Sequence, residues 1–298
     1  MADTLPAPKA DAHIHLFDPG FAQGRPAVCR QVQPTEVTLY TELIRHHNLA
    51  AALVVGYEGD DWARGNNAYL AQLQPQHPWL HPVAYVHDPR TLDIATLERY
   101  ATQGFVGISL YIFGDDPGQL RNDPRLTQTR PEIWEWLVAQ RWLISVNSTG
   151  AGWYAWADVL SRHPDLRLLL AHLGLPPRLD AAATRDLVQQ NLASVLALAT
   201  ASQVAVKISG LYALSEPGYA FPHTTAWPYI ETLLHAFGRA RMLWGSDFTP
   251  ALNSVSFVQT VNLLETMPFL TPADRAAIEH DNLMRMLQEV RAARKEPT

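Results

Sequence analysis

Short runs of apolar and β-branched residues recur along the chain at 10–17, 50–57, 80–86, 105–112, 143–149, 166–174, 204–210 and 241–248. Each is followed by a longer stretch with helical spacing. Runs such as Leu53-Val54-Val55, Leu168-Leu169-Leu170 and Val204-Ala205-Val206 lack the alternation of a half-exposed strand, so both of their faces are expected to be covered. The intervening stretches carry apolar stripes. Glu132 to Gln140 places Ile133, Trp134, Leu137 and Val138 on one face, and Asp274 to Glu289 repeats Ile278, Leu283, Met286 and Leu287, which predicts one continuous helix there. Eight alternating strand–helix units predict an all-parallel sheet closed into a (β/α)8 TIM barrel, a single domain over residues 1–298. The competing arrangement is a doubly wound open sheet. Against it, Asp18-Pro19-Gly20-Phe21 after the first run is neither a dinucleotide fingerprint nor a phosphate loop.

Composition narrows the partners more than the fold. With 47% hydrophobic residues, 17% charged residues and a formal charge of −6, the chain has ample material for a core and no concentrated basic face. A small-molecule partner is therefore expected, with no nucleic acid and no membrane; a homo-oligomer is compatible with the pattern. The segment Met1 to Ala10 has no basic stretch leading into an apolar one, so a cytoplasmic location is expected. Cys29 is the sole cysteine, which leaves histidines and carboxylates as the metal ligands available.

Polar residues at the predicted strand ends supply the chemistry. His13 and His15 lie two apart on one strand and project to the same side, with Asp11 on that face able to orient a histidine. His172 ends the sixth run and Asp247 the eighth, where a barrel places its catalytic groups. A carboxylate there is costly to bury unless it meets a metal, a cation or hydrogen-bond donors, although a helix cap would also account for it. Lys207 sits inside an apolar strand and needs a partner, either in a site or in a buried ion pair. His87 and His223 follow strands and fit exposed loops; His46, His47, His77, His163, His235 and His280 fall on helices or their ends. Tyr111, Trp153, Tyr154, Tyr212, Tyr219 and Trp227 could form an aromatic wall over a ring, or simply pack. The Pro/Gly-bearing stretches 18–34, 113–131 and 211–228 would crowd the mouth of the barrel.

Together Asp11-Ala12-His13-Ile14-His15, Ala171-His172-Leu173-Gly174, Lys207-Ile208-Ser209-Gly210-Leu211 and Trp244-Gly245-Ser246-Asp247 resemble the amidohydrolase-related superfamily. Within it they resemble the lactonase branch, which includes 2-pyrone-4,6-dicarboxylate lactonase and lactonases for fuconate- and rhamnonate-type sugar lactones. The likeness runs to Asp281-Asn282-Leu283-Met284-Arg285-Met286-Leu287, which looks like the family's closing helix. It implies that His13, His15, His172 and Asp247 form a metal-binding or carbonyl-polarising group, with Asp247 handling the water proton and His172 and Lys207 in catalytic roles.

Two departures from the family pattern refine the expectation. Gly107-Ile108-Ser109-Leu110-Tyr111 lacks the strand-four arginine of dicarboxylate lactonases, and Ser145-Val146-Asn147-Ser148-Thr149 lacks the strand-five histidine or bridging lysine of binuclear relatives. The resemblance then implies hydrolysis of a neutral sugar lactone, with Ser109, Tyr111, Asn147, Trp153, Tyr212 and His223 around the substrate. One zinc or other divalent ion, or no metal at all, fits the ligand set. The alternatives are a zinc-dependent decarboxylase or amide hydrolase, and a catalytically silent ligand-binding barrel.

Overall fold

A computed structural model describes residues 7–18, 35–114 and 116–294. Eight strands, β1 (Lys9–Ile14), β2 (Leu49–Val55), β3 (Leu80–Tyr85), β4 (Gly107–Ile112), β5 (Leu143–Ser148), β6 (Arg167–Leu170), β7 (Val204–Ile208) and β8 (Met242–Trp244), form one sheet in sequence order. Every neighbouring pair is parallel. The Asp247 N–H donates to the His13 carbonyl at 2.8 Å and Ile14 bridges Phe248, so the segment after β8 returns to β1 and closes the barrel. The strands are buried almost throughout, as runs covered by helices must be. Among the described residues no helix is long and apolar enough to cross a membrane.

The sixth and eighth strands are shorter than their apolar runs. β6 stops at Leu170 and β8 at Trp244, so His172 and Asp247 lie just beyond the ladder. Both take a left-handed backbone, His172 at φ 53° and Asp247 at φ 58°, a region that L-residues rarely enter. Such strain persists where surrounding contacts hold it, which is common at functional sites. Gly245 is required at the closure, since a Cβ there would stand 2.8 Å from the His13 Cβ.

Two expectations change in detail. The stretch predicted as one helix from Asp274 is a short helix, Pro272–Ala276, then a π turn, Ala277–Asp281, then the helix Asn282–Ala293. Ile278, Leu283, Met286 and Leu287 are buried as the stripe required, and the wide turn carries Glu279 to within 2.8 Å of the Lys9 Nζ beneath β1. On β1 the pairing with β2 shifts between Asp11 and Ile14, which interrupts the inward–outward alternation. Asp11 does not join the histidine rings. Its carboxylate accepts from the Tyr40 hydroxyl on the helix Glu36–His47 and from the backbone N–H groups of His13 and Ser246. Asp18-Pro19-Gly20-Phe21, the stretch 18–34 and Cys29 lie, apart from Asp18, outside the described residues.

Candidate active site at the barrel mouth

His13, His15, His172 and Asp247 converge where the strands end. The Nε2 atoms of His13 and His15 are 3.2 Å apart, and they stand 3.7 and 4.0 Å from the Asp247 Oδ1. The His172 ring centre lies 4.6 Å from that of His13. All four residues are buried. The Tyr212 hydroxyl donates to the Asp247 Oδ2 at 2.7 Å.

The partners behind the rings set their tautomers, because an ammonium only donates and a carbonyl only accepts. The Lys207 Nζ lies 3.2 Å from the His13 Nδ1 and donates to the Ser145 Oγ at 2.8 Å. A charged Lys207 therefore leaves the His13 proton on Nε2, facing the site. His15 Nδ1 stands 2.7 Å from the Val55 carbonyl, so it carries its proton there and offers a lone pair at Nε2. The His172 N–H donates to the Ser209 Oγ, whose own hydrogen is then free for the His172 Nδ1 at 3.0 Å. That arrangement aims the His172 Nε2–H into the mouth.

Burial dominates the electrostatics. It lowers His13 well below the usual histidine range, with Lys207 adding to the effect, and brings His15 down to about 4 and His172 to about 3. Near neutral pH the three imidazoles are uncharged. Burial also raises Asp247 to about 6, opposed by His15, Tyr212 and Lys207, and brings Lys207 down to about 7. Asp247 is thus a stronger base than an exposed carboxylate, yet still ionised at pH 7.

The group also suits one metal ion. His13, His172 and Asp247 each offer a ligand atom within 4.8 Å of the others, and imidazole nitrogen with carboxylate oxygen is zinc-type chemistry. For His13 to ligate through Nε2, its proton must move to Nδ1 and Lys207 must present a lone pair. The low value for Lys207 keeps that form within reach.

Above the cluster lies a cavity of about 340 Å³ lined by His15, Phe17, Tyr57, Asp60, Trp62, Tyr111, Asn147, His172, Tyr212, Asp247 and Pro250. No lysine or arginine is among them. Tyr57, Asp60 and Trp62 were not anticipated from the sequence. The Tyr57 hydroxyl and the Trp62 Nε1 both donate to the Asp60 Oδ2, at 3.1 and 3.2 Å, and Tyr57 packs on Tyr111 at 4.8 Å. Their signal was position alone, since they follow β2 as Tyr111 ends β4.

The remaining expected residues divide. Tyr111, Asn147 and Tyr212 face the cavity; among the described residues, the buried Ser109 Oγ and the Asn147 Oδ1 have no hydrogen-bond partner. Trp153 does not line the cavity: it is wholly buried and its Nε1 donates to the Gly174 carbonyl at 2.8 Å, a packing role. His223, expected in an exposed loop, is 3% exposed and faces a separate small cavity beside Ser209 and Tyr212. Tyr219 is 73% exposed, and His87 is exposed as expected.

Solved structures share this barrel at low sequence identity. An amidohydrolase from Burkholderia multivorans with bound zinc is 20% identical, with 95% of this chain and 99% of that one covered at a TM-score of 0.73. A protein described as a 2-pyrone-4,6-dicarboxylic acid hydrolase from Pseudomonas putida is 23% identical, covering 96% and 99% at 0.70. A 2,6-dihydroxybenzoate decarboxylase from Rhizobium is 15% identical, covering 94% and 98% at 0.62. None of the curated proteins matches the sequence. The amidohydrolase sequence profile matches residues 10–288, from Ala10 on β1 into the last helix, and the chain therefore belongs to the amidohydrolase family.

Proposed function

We propose that the chain hydrolyses a neutral lactone. The observation that carries this reading is the raised, buried Asp247 carboxylate set against the His13–His15 pair, in a mouth whose described lining residues include no cation. Ester hydrolysis needs a base for water and donors for the oxyanion. Asp247 takes a proton from a water molecule as its oxygen bonds to the carbonyl carbon. The His172 Nε2–H faces the carbonyl oxygen as it gains charge, while the His13 Nε2–H donates to the His15 Nε2 and holds that ring in place. When the ring C–O bond breaks, the proton on Asp247 passes to the leaving alkoxide, giving a hydroxy acid. Tyr212 holds Asp247 in place, and Lys207 holds the His13 tautomer that donates.

An ion held by His13, His172 and Asp247 would act as a Lewis acid on the same carbonyl oxygen. The residues around it would keep their binding roles. Tyr111, Asn147 and Asp60 offer hydroxyl, amide and carboxylate groups to a hydroxylated ring, while Tyr57 and Trp62 provide flat apolar area. Arg125, whose guanidinium reaches the Tyr111 and Phe113 carbonyls, is bound to Asp123.

The test is a substrate panel of neutral aldonolactones, pyrone dicarboxylate and hydroxybenzoates, run as purified and after chelation. The expected outcome is acid release from at least one neutral lactone. Turnover of the dicarboxylate alone would overturn the substrate assignment, and carbon dioxide release from a hydroxybenzoate would overturn the reaction.

A further inference from the structure

At the end of the barrel opposite the mouth, three guanidinium groups gather around one carboxylate and a fourth lines the cavity beside them. Arg167 opens β6, Arg241 precedes β8, Arg285 lies on the helix Asn282–Ala293, and Arg141 precedes β5. Glu289 pairs with Arg167, with Arg285 at 3.4 Å and with Arg141 at 3.9 Å. Arg241 has no share in it, and its donors go to the Phe237, Ala199 and Ala201 carbonyls. Three positive groups thus share one negative one.

Between them is a cavity of about 90 Å³, lined by Arg167, Arg241 and Arg285 together with Ser202 and Gln203. This is well above the roughly 10–15 Å³ that one water requires. The Arg167 side chain is 9% exposed, and its Nη1 is buried without a hydrogen-bond partner among the described residues. A buried guanidinium nitrogen left unpaired is costly, and a planar fork of donors suits a tetrahedral oxyanion. Burial pulls the Arg167 pKa down, opposed by Glu289, with Arg141 and Arg285 adding smaller repulsions.

We infer that this pocket is a binding site for a small oxyanion of the phosphate or sulfate class, held by Arg167 and Arg285 beneath β6 and β7. The anion would take up the free Arg167 Nη1 and complete the charge balance that Glu289 only begins. It would tie the last helix to the strand starts, a stabilising role in keeping with the end of the barrel that carries no chemistry.

The experiment is a thermal-unfolding titration with inorganic phosphate against sodium chloride at matched ionic strength, on the full chain. A ligand that binds only the folded state raises Tm with saturation. The wild type is expected to show such a saturating rise, and Arg285→Gln, at a half-exposed position, to weaken the apparent affinity about tenfold. Glu289→Gln discriminates further. It should lower Tm without phosphate, because Arg167 loses its partner, and tighten phosphate binding, because a competing carboxylate is gone. A rise that grows without saturation and equally in all three proteins is a bulk salt effect and would overturn the site. So would Glu289→Gln binding no more tightly than the wild type.

Discussion

The two ends of the barrel use their buried ionisable groups in different ways. At the base, Lys9 is matched by Glu279 at 2.8 Å and also reaches the Val261 carbonyl, and Arg291 donates to the His81 Nε2 at 3.2 Å. These are partners of complementary role, brought there by the last helix and its π turn. At the mouth, neutral imidazoles face each other and a raised carboxylate, with left-handed backbones at His172 and Asp247. Apart from the Arg167 Nη1 and the Arg294 Nε, the base spends its polar groups on holding strands to helices. Among the described residues, the mouth leaves hydrogen-bonding capacity unused at Asn147 and the His172 Nε2, both of which line the cavity. Stability and reactivity are therefore carried by different residues, and substitutions should separate them.

The sharpest separation is expected at Asp247. Asp247→Asn should lower lactone turnover by roughly 10²–10⁴-fold, the usual worth of a general base, with no fall in Tm, because a carboxylate held above its ordinary pKa destabilises the folded state at pH 7. Steady-state kinetics beside thermal unfolding checks both halves. The mirror-image variant is Glu279→Ala, which removes the buried partner of Lys9 and leaves it the Val261 carbonyl and the exposed Glu265 at 3.6 Å. It should cost about 3 kcal/mol in urea denaturation while kcat of the folded fraction is unchanged.

Smaller effects refine the contrast. Burial, with Arg291 and Arg294 adding to it, lowers His81 to about 4. Its folded value lies below the unfolded one, so the unfolded chain binds the extra proton. The stability this group contributes is present above about pH 6.5 and is lost as pH falls towards 4. Between pH 7 and 5 the loss should be about 2 kcal/mol, and His81→Asn should remove that part of the slope in denaturation measured across this range. Tyr212→Phe should reduce turnover about tenfold by freeing Asp247 from its one side-chain donor, with little change in Tm.

Much of this division was legible in the sequence. Strand runs buried on both faces carry a signal that does not depend on their partners, so all eight were placed, and His172 and Asp247 followed from lying at the ends of two of them. The details that failed depend on neighbours. The direction of Asp11 turns on a register shift against β2, the π turn on where Lys9 waits, and the burial of Trp153 on the Gly174 carbonyl. Lys207 was recognisable as a lysine in need of a partner, but its partners, His13 and Ser145, come from strands far away in the chain. Tyr57, Asp60 and Trp62 carry no motif, and only closure of the barrel brings them beside Tyr111.

The central claim is that water attacks the carbonyl while Asp247 takes its proton, and a single turnover in ¹⁸O-labelled water addresses it directly. With excess enzyme over a neutral lactone, the account predicts one labelled oxygen in the carboxylate of the product and none in the peptide that contains Asp247. Label in Asp247 with an unlabelled first product would make the aspartate a nucleophile and contradict the account.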